Sequence, residues 1–225
     1  MTSTVCVPVP AAKRALYLTT LALPMAGWAV HAVTLHRKLS TARLDPLTGL
    51  HTRDGYTTRS RSLTTRHPSE ALVVLVDVDH FKQINDTYGH ATGDLVLSET
   101  ANRLRVWAAG NRGIAGRLGG DEFALTVRIS PSQRRARLRE LTAALAQPVA
   151  IGGQSVDVAV SVGAAPADTL GTTDLSQLQR AADAAMYAGK HTGIAIIADP
   201  SHTHVPSIHG RRAGRSGAGI LRTAA

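Results

Sequence analysis

Residues Ala115 to Ala124 read AGRLGGDEFA, with two adjacent glycines and two adjacent carboxylates before the chain returns to apolar residues. Glycine has no Cβ atom, so Gly119 and Gly120 permit a tight turn and let a ligand approach the main chain closely. The following residues, FALTVRI from Phe123, are typical of a strand. The stretch therefore predicts a β-hairpin whose turn is kept bare for a ligand. An ordinary two-glycine hairpin with an acidic tip is the alternative.

A second acidic position stands at the end of an apolar run. The run ALVVLVDV at Ala71–Val78 predicts a strand that is buried on both faces. A buried strand does not tolerate an unpaired charge, so Asp77 is expected at the rim of the sheet, where α/β proteins bind ligands. Carboxylate oxygens from Asp77 and Asp121 suit Mg²⁺, which binds one or two carboxylates together with substrate phosphates. Taken alone, Asp77 could also be a solvated residue that ends a strand.

The rest of the chain from Arg43 to about Ala198 alternates short β-rich runs with helical ones, which predicts one α/β domain. DLVLSETANRLRVW predicts a helix that starts with Asp94 as its N-cap residue. SVDVAVSVGAA from Ser155 alternates as a single strand would, and DLSQLQRAADAAMYAGK predicts a helix capped by Asp174. PSQRRARLRELTAALAQPV predicts a further helix, and GIAIIA predicts a last strand.

Several of these segments together resemble the GGDEF family of diguanylate cyclases. The matching segments are RLGGDEF at Arg117–Phe123, VDVDHFKQINDTYGHATGD at Val76–Asp94, DPLTGLHTRDGY at Asp45–Tyr56, SVGAA at Ser161–Ala165 and RAADAAMYAGKHTG at Arg180–Gly193. They follow the order of the family and cover nearly all of residues 43–198. The resemblance implies an α/β (α+β) GGDEF domain, like a nucleotidyl cyclase or polymerase palm, with a central mixed sheet surrounded by helices.

The resemblance also implies an activity. Each domain of the family binds one GTP, and two domains meet as a homodimer in which each 3′-hydroxyl attacks the α-phosphate of the other nucleotide. The products are cyclic di-GMP and two pyrophosphates. Asp77, Asp121 and the backbone carbonyl of Val78 would hold Mg²⁺ (or Mn²⁺), and Glu122 would help to deprotonate the hydroxyl. Metal-assisted positioning of this kind is general in phosphoryl transfer.

The nucleotide-contacting positions of the family carry over to one set of residues in this chain. They are Asn85 and Asp94 for the guanine, His90 for the nucleotide, Lys82 and Lys190 for phosphate, Phe81 through its backbone amide, and Gly119 and Gly120 in the turn. Successive backbone amides after Asp79 can cradle a phosphate tail. Each residue also has an ordinary alternative, because Asp94 could cap a helix, Asn85 could stabilise a turn, and the lysines could be solvated.

The chain departs from the family pattern at three places. The arginine usually found four residues after Lys190 is Ile194, which removes a charge-assisted phosphate contact of about 1.5 to 3 kcal/mol and predicts weaker GTP binding. GNRG at Gly110–Gly113 has glycine at both key positions of the RxxD product-inhibition motif, so no feedback site of that type is expected. Thr52-Arg53 replaces the usual Asn-Arg pair. A degenerate module that binds GTP or a partner without turnover is therefore the alternative function.

The net charge of the chain suggests a nucleic-acid partner, but the distribution of the basic residues does not favour one. Lys and Arg number 25 against 16 Asp and Glu, for a formal net charge of +9. An excess of this size suggests an anionic partner, but the basic residues are scattered and are not interleaved with aromatic residues. A nucleic-acid partner is therefore not expected. The single cysteine, Cys6, cannot form an intramolecular disulfide, which favours a reducing compartment.

The N-terminal segment suggests a membrane anchor. Residues 15–35 read ALYLTTLALPMAGWAVHAVTL, close to the length of about 20 apolar residues that crosses a bilayer as one hydrophobic helix. The flanking charges favour a single pass through the inner (cell) membrane with the GGDEF domain in the cytoplasm. A signal peptide, a helix that packs on a partner and a soluble cytoplasmic protein are the alternatives. Residues 1–14 are expected to be a tail, 36–42 a connector, and 199–225 a disordered basic tail.

Overall fold

The computed structural model describes residues 25–29, 31, 44–190 and 192–204. The chain divides into two compact units, Met1–Arg43 and Leu44–Ala225. In the first unit, Met25–Ala29 and His31 are helical, and the remainder of the expected span at 15–35 lies outside the described residues. Within the described ranges, no helix has the length and apolar character that crossing a bilayer requires.

The second unit contains both helices and strands. Its helices are α1 (Arg53–Arg66), α2 (Phe81–Tyr88), α3 (His90–Gly110), α4 (Arg134–Leu145), α5 (Ala167–Leu170) and α6 (Leu175–Ala188). Its strands are β1 (His51–Thr52), β2 (Ala71–Val78), β3 (Ile114–Gly119), β4 (Glu122–Arg128), β5 (Val149–Ile151), β6 (Gln154–Val156), β7 (Val160–Pro166) and β8 (Ile196–Ile197). Short 3₁₀ turns lie at Pro131–Gln133 and Pro200–His204.

Six of the strands form one mixed sheet in the order β1-β3-β4-β2-β7-β8. The β1–β3 and β7–β8 pairs are parallel, and the β3–β4, β4–β2 and β2–β7 pairs are antiparallel. Strands β5 and β6 form a separate antiparallel hairpin. The predicted mixed sheet with surrounding helices is therefore confirmed, and the strand with the acidic end, β2, lies inside it.

Strand β2 is buried along its whole length because both of its faces are covered. Side chains alternate between the faces of a strand. Leu72, Val74 and Val76 belong to the core cluster that contains residues of α3 and α4, whereas Val73 and Leu75 belong to the cluster that contains residues of α1 and α6. By the same alternation, the side chain of Asp77 lies on the face of the sheet that α6 covers.

Helix α6 lies directly on β7 because Gly163 has no side chain. A Cβ atom added at Gly163 would meet the Ala182 carbonyl oxygen at 2.1 Å and the Met186 amide nitrogen at 2.4 Å. Helix α6 begins where predicted, since the Asp174 carboxylate accepts a hydrogen bond from the Ser176 amide at 2.9 Å. The glycine of the SVGAA segment therefore sets how closely α6 approaches the sheet.

Three sequence-based expectations were wrong in detail. Helix α3 begins at His90 after Gly89, so Asp94 lies inside the helix and does not cap it. SVDVAVSVGAA forms two strands, because its first part pairs with β5 while its second part joins the main sheet as β7. Pro200–His204, in the segment expected to be disordered, forms a 3₁₀ turn that begins with a hydrogen bond from the Ser201 amide to the Asp199 carboxylate at 2.9 Å. Residues 205–225 lie outside the described residues.

Candidate active site

The predicted acidic residues lie at one end of the sheet. The antiparallel register of β2 and β4 pairs Asp77 with Glu122, and the Val78 amide donates a hydrogen bond to the Asp121 carbonyl at 3.3 Å. Residues directly opposite in an antiparallel pair project from the same face, so Asp77 and Glu122 share the α6 face. The strand tip and the hairpin turn, which are more than 40 residues apart in sequence, are therefore adjacent in the fold.

The hairpin turn needs its glycines for backbone conformation. Gly119 has φ of 151° and Gly120 has φ of 52°, values that residues with a side chain rarely adopt. A Cβ atom at either glycine would meet nothing within 4 Å. The β3–β4 pairing also shifts register between Arg117 and Gly119, which bends the strand next to the turn. The bare turn that the sequence predicted is therefore present, with open space beside it.

Two arginines that the sequence analysis did not assign to the site hold this turn. Arg117 donates to the Gly120 carbonyl at 3.0 Å through Nε and at 2.7 Å through Nη2. Arg53, at the start of α1, donates from Nε to the Leu118 carbonyl at 3.0 Å. Both arginines lie within segments that match family motifs, but a motif match does not say which backbone atoms an arginine contacts. They fix the loop that carries Asp121.

Arg117 also connects the hairpin to the start of the domain. Its Nη1 lies 3.2 Å from Asp45 Oδ1, and the same carboxylate oxygen accepts from the Thr48 amide at 2.9 Å and the Thr48 hydroxyl at 2.6 Å. Burial acts to raise the pKa of Asp45, but the hydrogen bonds from Thr48 and the Arg117 guanidinium outweigh it and hold the pKa below its ordinary value. The charged form of Asp45 is therefore part of the support of the turn.

The environment of Asp77 fits a cation. Asp77 is 4% exposed, its Oδ2 lies 3.0 Å from the Lys190 ammonium, and its buried Oδ1 accepts no hydrogen bond. A buried carboxylate oxygen without a donor is costly unless a positive ligand approaches it. Among the described residues, no three His, Cys, Asp or Glu side chains converge as a metal cluster. A divalent ion here would therefore take two carboxylates and a backbone carbonyl, with the remaining ligands supplied by a bound substrate.

The loop after β2 is fixed by hydrogen bonds of the buried residue Asp79. Asp79 is buried, its amide donates to the Ala159 carbonyl at 2.9 Å, and its carboxylate accepts from the Ser161 hydroxyl at 2.8 Å. His80 has φ of 55°, and α2 starts at Phe81. The first amides of a helix have no acceptor within the helix, so the Phe81 amide faces outward from the helix end. Asp79 and Ser161 are supports that the sequence analysis did not identify.

Asn85 lies against Gly93, the residue before Asp94, where α2 packs on α3. A Cβ atom added at Gly93 would lie 1.9 Å from Asn85 Oδ1 and 3.2 Å from the ring of Phe81, so the amide of Asn85 occupies the space that a side chain would fill. Asp94 follows Gly93 and is exposed. Gly93 is therefore a residue of this region that the sequence analysis missed, and its signal was a glycine inside a helix.

Among the described residues, no ion pair joins Lys82 or His90 to the acidic residues at the end of the sheet. Both side chains are exposed, and neither forms a salt bridge within the part of the chain that the structure describes. Thr52 explains one departure from the family pattern, because its hydroxyl caps α1 by accepting from the Gly55 amide at 3.4 Å. Ile194, another of the three departures, is 64% exposed.

The mixed central sheet with its surrounding helices, and the acidic hairpin beside a buried strand-end aspartate, define the class of this protein as an α+β domain with a palm-like fold. Residues 42–195 match the family model described as "Diguanylate cyclase, GGDEF domain". The chain belongs to the GGDEF-domain diguanylate cyclase family.

Individual relatives agree with this assignment. The chain is 50% identical, over 75% of its length and 89% of the other, to an uncharacterized 19.3 kDa protein in the repSA 5′ region of Streptomyces ambofaciens. It is 39% identical to the diguanylate cyclase DgcN of Escherichia coli, covering 68% of this chain but 38% of that enzyme. The coiled coil and GGDEF domain of DgcB from Caulobacter crescentus, solved with c-di-GMP, superposes with a TM-score of 0.64 at 26% identity, covering 80% of this chain and 100% of that one.

Proposed function

We propose that this chain is an active diguanylate cyclase that condenses two GTP molecules into cyclic di-GMP and two pyrophosphates with Mg²⁺, or Mn²⁺ in its place. The observation that carries the proposal is the register of β2 and β4, which pairs Asp77 with Glu122 and bonds Val78 to Asp121. This register brings the acidic groups of two separate motifs to one end of the sheet. The c-di-GMP bound to the DgcB domain gives independent support for the class of product.

The roles of the acidic residues follow from their positions. Asp77, Asp121 and the Val78 carbonyl would hold the divalent ion, which when bound supplies positive charge to the phosphates of the substrate. Glu122 would accept the proton of a 3′-hydroxyl as its oxygen bonds to the α-phosphorus of the other GTP. The bond from that phosphorus to the bridging oxygen breaks, and pyrophosphate leaves with the electron pair. Two such steps close the ring.

The remaining residues would bind the nucleotide. The Asn85 amide and the Asp94 carboxylate offer a donor and an acceptor that match guanine, and His90 lies at the start of the same helix as Asp94. Lys190 lies 3.0 Å from Asp77, so its ammonium would be close to a phosphate bound to a divalent ion at that carboxylate. The Phe81 amide at the start of α2 and the Lys82 side chain would complete the phosphate contacts.

The proposed reaction needs a homodimer, because the two nucleotides that react are held by two chains. We expect the specific activity to rise with protein concentration in the range where two chains associate. Sedimentation in the same buffer would locate that range. A specific activity that does not change while sedimentation shows a shift from monomer to dimer would contradict the homodimer.

A membrane anchor at residues 15–35 is a separate proposal that rests on the apolar character of that segment. It places the protein as a single-pass protein of the inner (cell) membrane with its GGDEF domain in the cytoplasm. The alternative is a soluble cytoplasmic protein. Fractionation of cells that express the chain with and without this segment tests the anchor, since only the chain that carries it should sediment with membranes.

Ile194 favours a second function, a degenerate module that binds GTP or a partner without turnover. This exposed isoleucine stands where the family usually has an arginine, so phosphate binding loses a charged donor. Calorimetric GTP binding without pyrophosphate release would support the degenerate module. A nucleic-acid partner is not part of either proposal, and a flat binding isotherm at low salt would exclude one.

The direct test of the cyclase is incubation of the full chain with GTP and Mg²⁺, followed by quantification of cyclic di-GMP and pyrophosphate. We expect both products in a 1:2 ratio from the wild type. Asp121→Ala should lower the activity by at least about 100-fold, because it removes a ligand of the divalent ion that would stabilise the charge of the transition state. Failure to form product at high protein concentration, with wild type and Asp121→Ala alike, would refute the activity.

A further inference from the structure

A groove extends from the loop after β2 along helix α4. Its first part, about 490 Å³ in volume, is lined by residues that include Asp79, His80 and Thr142. Its second part, about 530 Å³, is lined by residues that include Arg135 and Arg139. Both parts also include Thr142 and Gly193 in their walls, so they meet there. The groove therefore connects the proposed phosphate cradle to two guanidinium groups.

One wall of this groove is a single stripe of α4 and its C-cap. The stripe consists of Arg135, Leu138, Arg139, Thr142 and Ala146. Steps of three and four residues place side chains on one face of a helix. Arg139 lies three residues before Thr142, an axial distance of about 4.5 Å, which is shorter than an extended arginine side chain. Arg139 lines the same part of the groove as Thr142 and Gly193, the residues at which the two parts of the groove meet.

The opposite wall offers no charged donor. That wall, beside the two arginines, consists of residues 193–197, which are one glycine, one alanine and three isoleucines. A phosphate that extended from the cradle into this part of the groove would find apolar side chains on one side and the two guanidinium groups on the other. The charge needed to hold it can come only from α4 within the described walls of this part.

The two groove arginines are also the ones on α4 without a carboxylate partner. Arg134 pairs with Asp168 at 2.8 Å, and Arg137 pairs with Glu140 at 2.8 Å. Arg135 and Arg139 are exposed and form no salt bridge with any residue of the described ranges. The groove has one acidic residue in its described lining, Asp79, whose carboxylate already accepts the Ser161 hydroxyl. The second part of the groove therefore carries a net positive charge.

We propose that Arg139, reinforced by the charge of Arg135, binds the terminal phosphates of the nucleoside triphosphate whose inner phosphates lie at the loop after β2. This inference rests on the proposed function, since it extends the same nucleotide site. A guanidinium suits the task because it stays charged and donates in a planar fork that matches phosphate oxygens. The facing residue, Ile194, cannot supply such a contact, so α4 provides it from across the groove.

Binding of nucleotides that differ in phosphate number tests this assignment. The full chain is titrated by calorimetry with 3′-deoxy-GTP, which lacks the reacting hydroxyl and cannot be condensed, and with GMP. Arg139→Ala is expected to weaken binding of 3′-deoxy-GTP by about tenfold or more while leaving GMP unchanged. Arg137→Ala, on the same helix but paired with Glu140, is the matched control and should bind both nucleotides as the wild type does.

A restoring variant separates phosphate binding from a structural effect. Ile194→Arg places a guanidinium on the opposite wall, so adding it to Arg139→Ala should recover most of the lost 3′-deoxy-GTP affinity. In the wild type, Ile194→Arg should raise the affinity for 3′-deoxy-GTP by a smaller factor than it does in Arg139→Ala. An Arg139→Ala protein that binds 3′-deoxy-GTP as Arg137→Ala does, or that loses GMP and 3′-deoxy-GTP affinity equally, overturns the assignment.

The two proposals can fail separately. A chain that makes cyclic di-GMP but shows no dependence of triphosphate affinity on Arg139 keeps the proposed function and loses this inference. A chain whose 3′-deoxy-GTP affinity depends on Arg139 but that releases no pyrophosphate from GTP keeps this inference and loses the cyclase.

Discussion

At the scale of single residues, Gly93 leaves room for a side chain from another helix. The Asn85 amide occupies the position that a Cβ atom at residue 93 would take, at 1.9 Å. Because the atom displaced is the end of a flexible side chain, Gly93→Ala should fold normally but move Asn85 away from its place against residue 93. The substitution should therefore weaken nucleotide binding without lowering the stability of the fold.

We therefore expect Gly93→Ala to weaken GTP binding by about tenfold, the equivalent of one lost hydrogen bond to a polar edge, with a nearly unchanged melting temperature. Calorimetry with 3′-deoxy-GTP, a GTP analogue that cannot be condensed, and a thermal melt measure the two quantities. Gly110→Ala is the control, because an added Cβ atom there meets nothing within 4 Å. Equal affinities of Gly93→Ala and Gly110→Ala for 3′-deoxy-GTP would show that Asn85 does not read the base from this position.

The sequence predicts a candidate site residue only where that residue lies within a short, recognisable pattern. Asp77, Asp121 and Glu122 could be recognised because each lies within a short pattern, an apolar run that ends in an acid or a bare turn. The contact of Arg117 with Asp45 joins residues 72 positions apart. No local pattern reports such a contact, and it depends on the folded arrangement of β3 and the N-terminal turn.

At the scale of elements, the β3–β4 hairpin depends on Arg117 for its position. This side chain donates twice to the Gly120 carbonyl and contacts Asp45, so its loss frees the turn that carries Asp121. We expect Arg117→Ala to lower cyclase activity by about tenfold and the free energy of unfolding by about 1 to 3 kcal/mol. Product formation and urea unfolding measure these changes.

The control for the hairpin is Arg105→Ala, which removes an exposed arginine whose side chain contacts Asn102 on its own helix. It should change neither the activity nor the stability measurably. Arg117→Lys should recover only part of the loss, because an ammonium cannot reproduce the two parallel hydrogen bonds of a guanidinium. Full activity in Arg117→Ala would show that the turn keeps its shape without this support.

The packing of α6 on β7 gives a second test at this scale. Gly163→Ala forces a Cβ atom into the backbone of α6, where neither the Ala182 carbonyl nor the Met186 amide can move without shifting the helix. We expect a loss of about 1 to 3 kcal/mol of unfolding free energy, and lower activity because Lys190 lies just beyond the end of α6. Urea unfolding measures the loss, and a wild-type midpoint would contradict the close approach.

Element boundaries were harder to predict than the elements themselves. The burial of β2 and the cap of α6 follow from local composition, and both were correct. The start of α3 was missed because Gly89 and Gly93 look like helix breakers in sequence, although Gly93 is required by the approach of Asn85. The break between β6 and β7 was missed because an alternating run does not reveal that its halves pair with different partners.

At the scale of the whole molecule, the order of the strands could not be predicted from the sequence. A fully apolar run such as β2 fits the centre of a parallel or an antiparallel sheet equally well. In the fold, β2 lies between β4 and β7 and is antiparallel to both. That arrangement brings the strand tip next to the hairpin turn.

The ion pairs that connect distant parts of the domain predict a loss of stability in acid. Asp45 and Asp168 both have pKa values below the ordinary range, since hydrogen bonds from neighbouring groups, with Arg117 and Arg134 among them, outweigh the effect of burial. A carboxyl group with a lowered folded-state pKa stabilises the fold above its unfolded pKa, about 3.9, and this stabilisation disappears as the pH falls through the folded value.

Urea unfolding at a series of pH values from 7 to 3 measures this dependence. We expect little change above about pH 5 and a progressive fall of the unfolding free energy below about pH 4. Asp45→Asn should be less stable at pH 7 and should show a shallower fall than the wild type. An identical pH dependence in the two proteins would mean that Asp45 is not held in its charged form by Thr48 and Arg117.

The central claim is that Asp77 and Asp121 hold one divalent ion together with the nucleotide. The most direct measurement titrates Mn²⁺ into the full chain with 3′-deoxy-GTP and follows free Mn²⁺ by electron paramagnetic resonance. The control is Asp86→Asn, which changes an exposed carboxylate on α2.

We expect one tightly bound Mn²⁺ per chain that requires the nucleotide, with Asp77→Asn and Asp121→Asn each weakening it by more than about tenfold. The double variant should bind Mn²⁺ little worse than either single variant, because removing one ligand already breaks the shared site. Wild-type Mn²⁺ affinity in either single variant, or losses that simply add in the double variant, would contradict a site shared by the two residues.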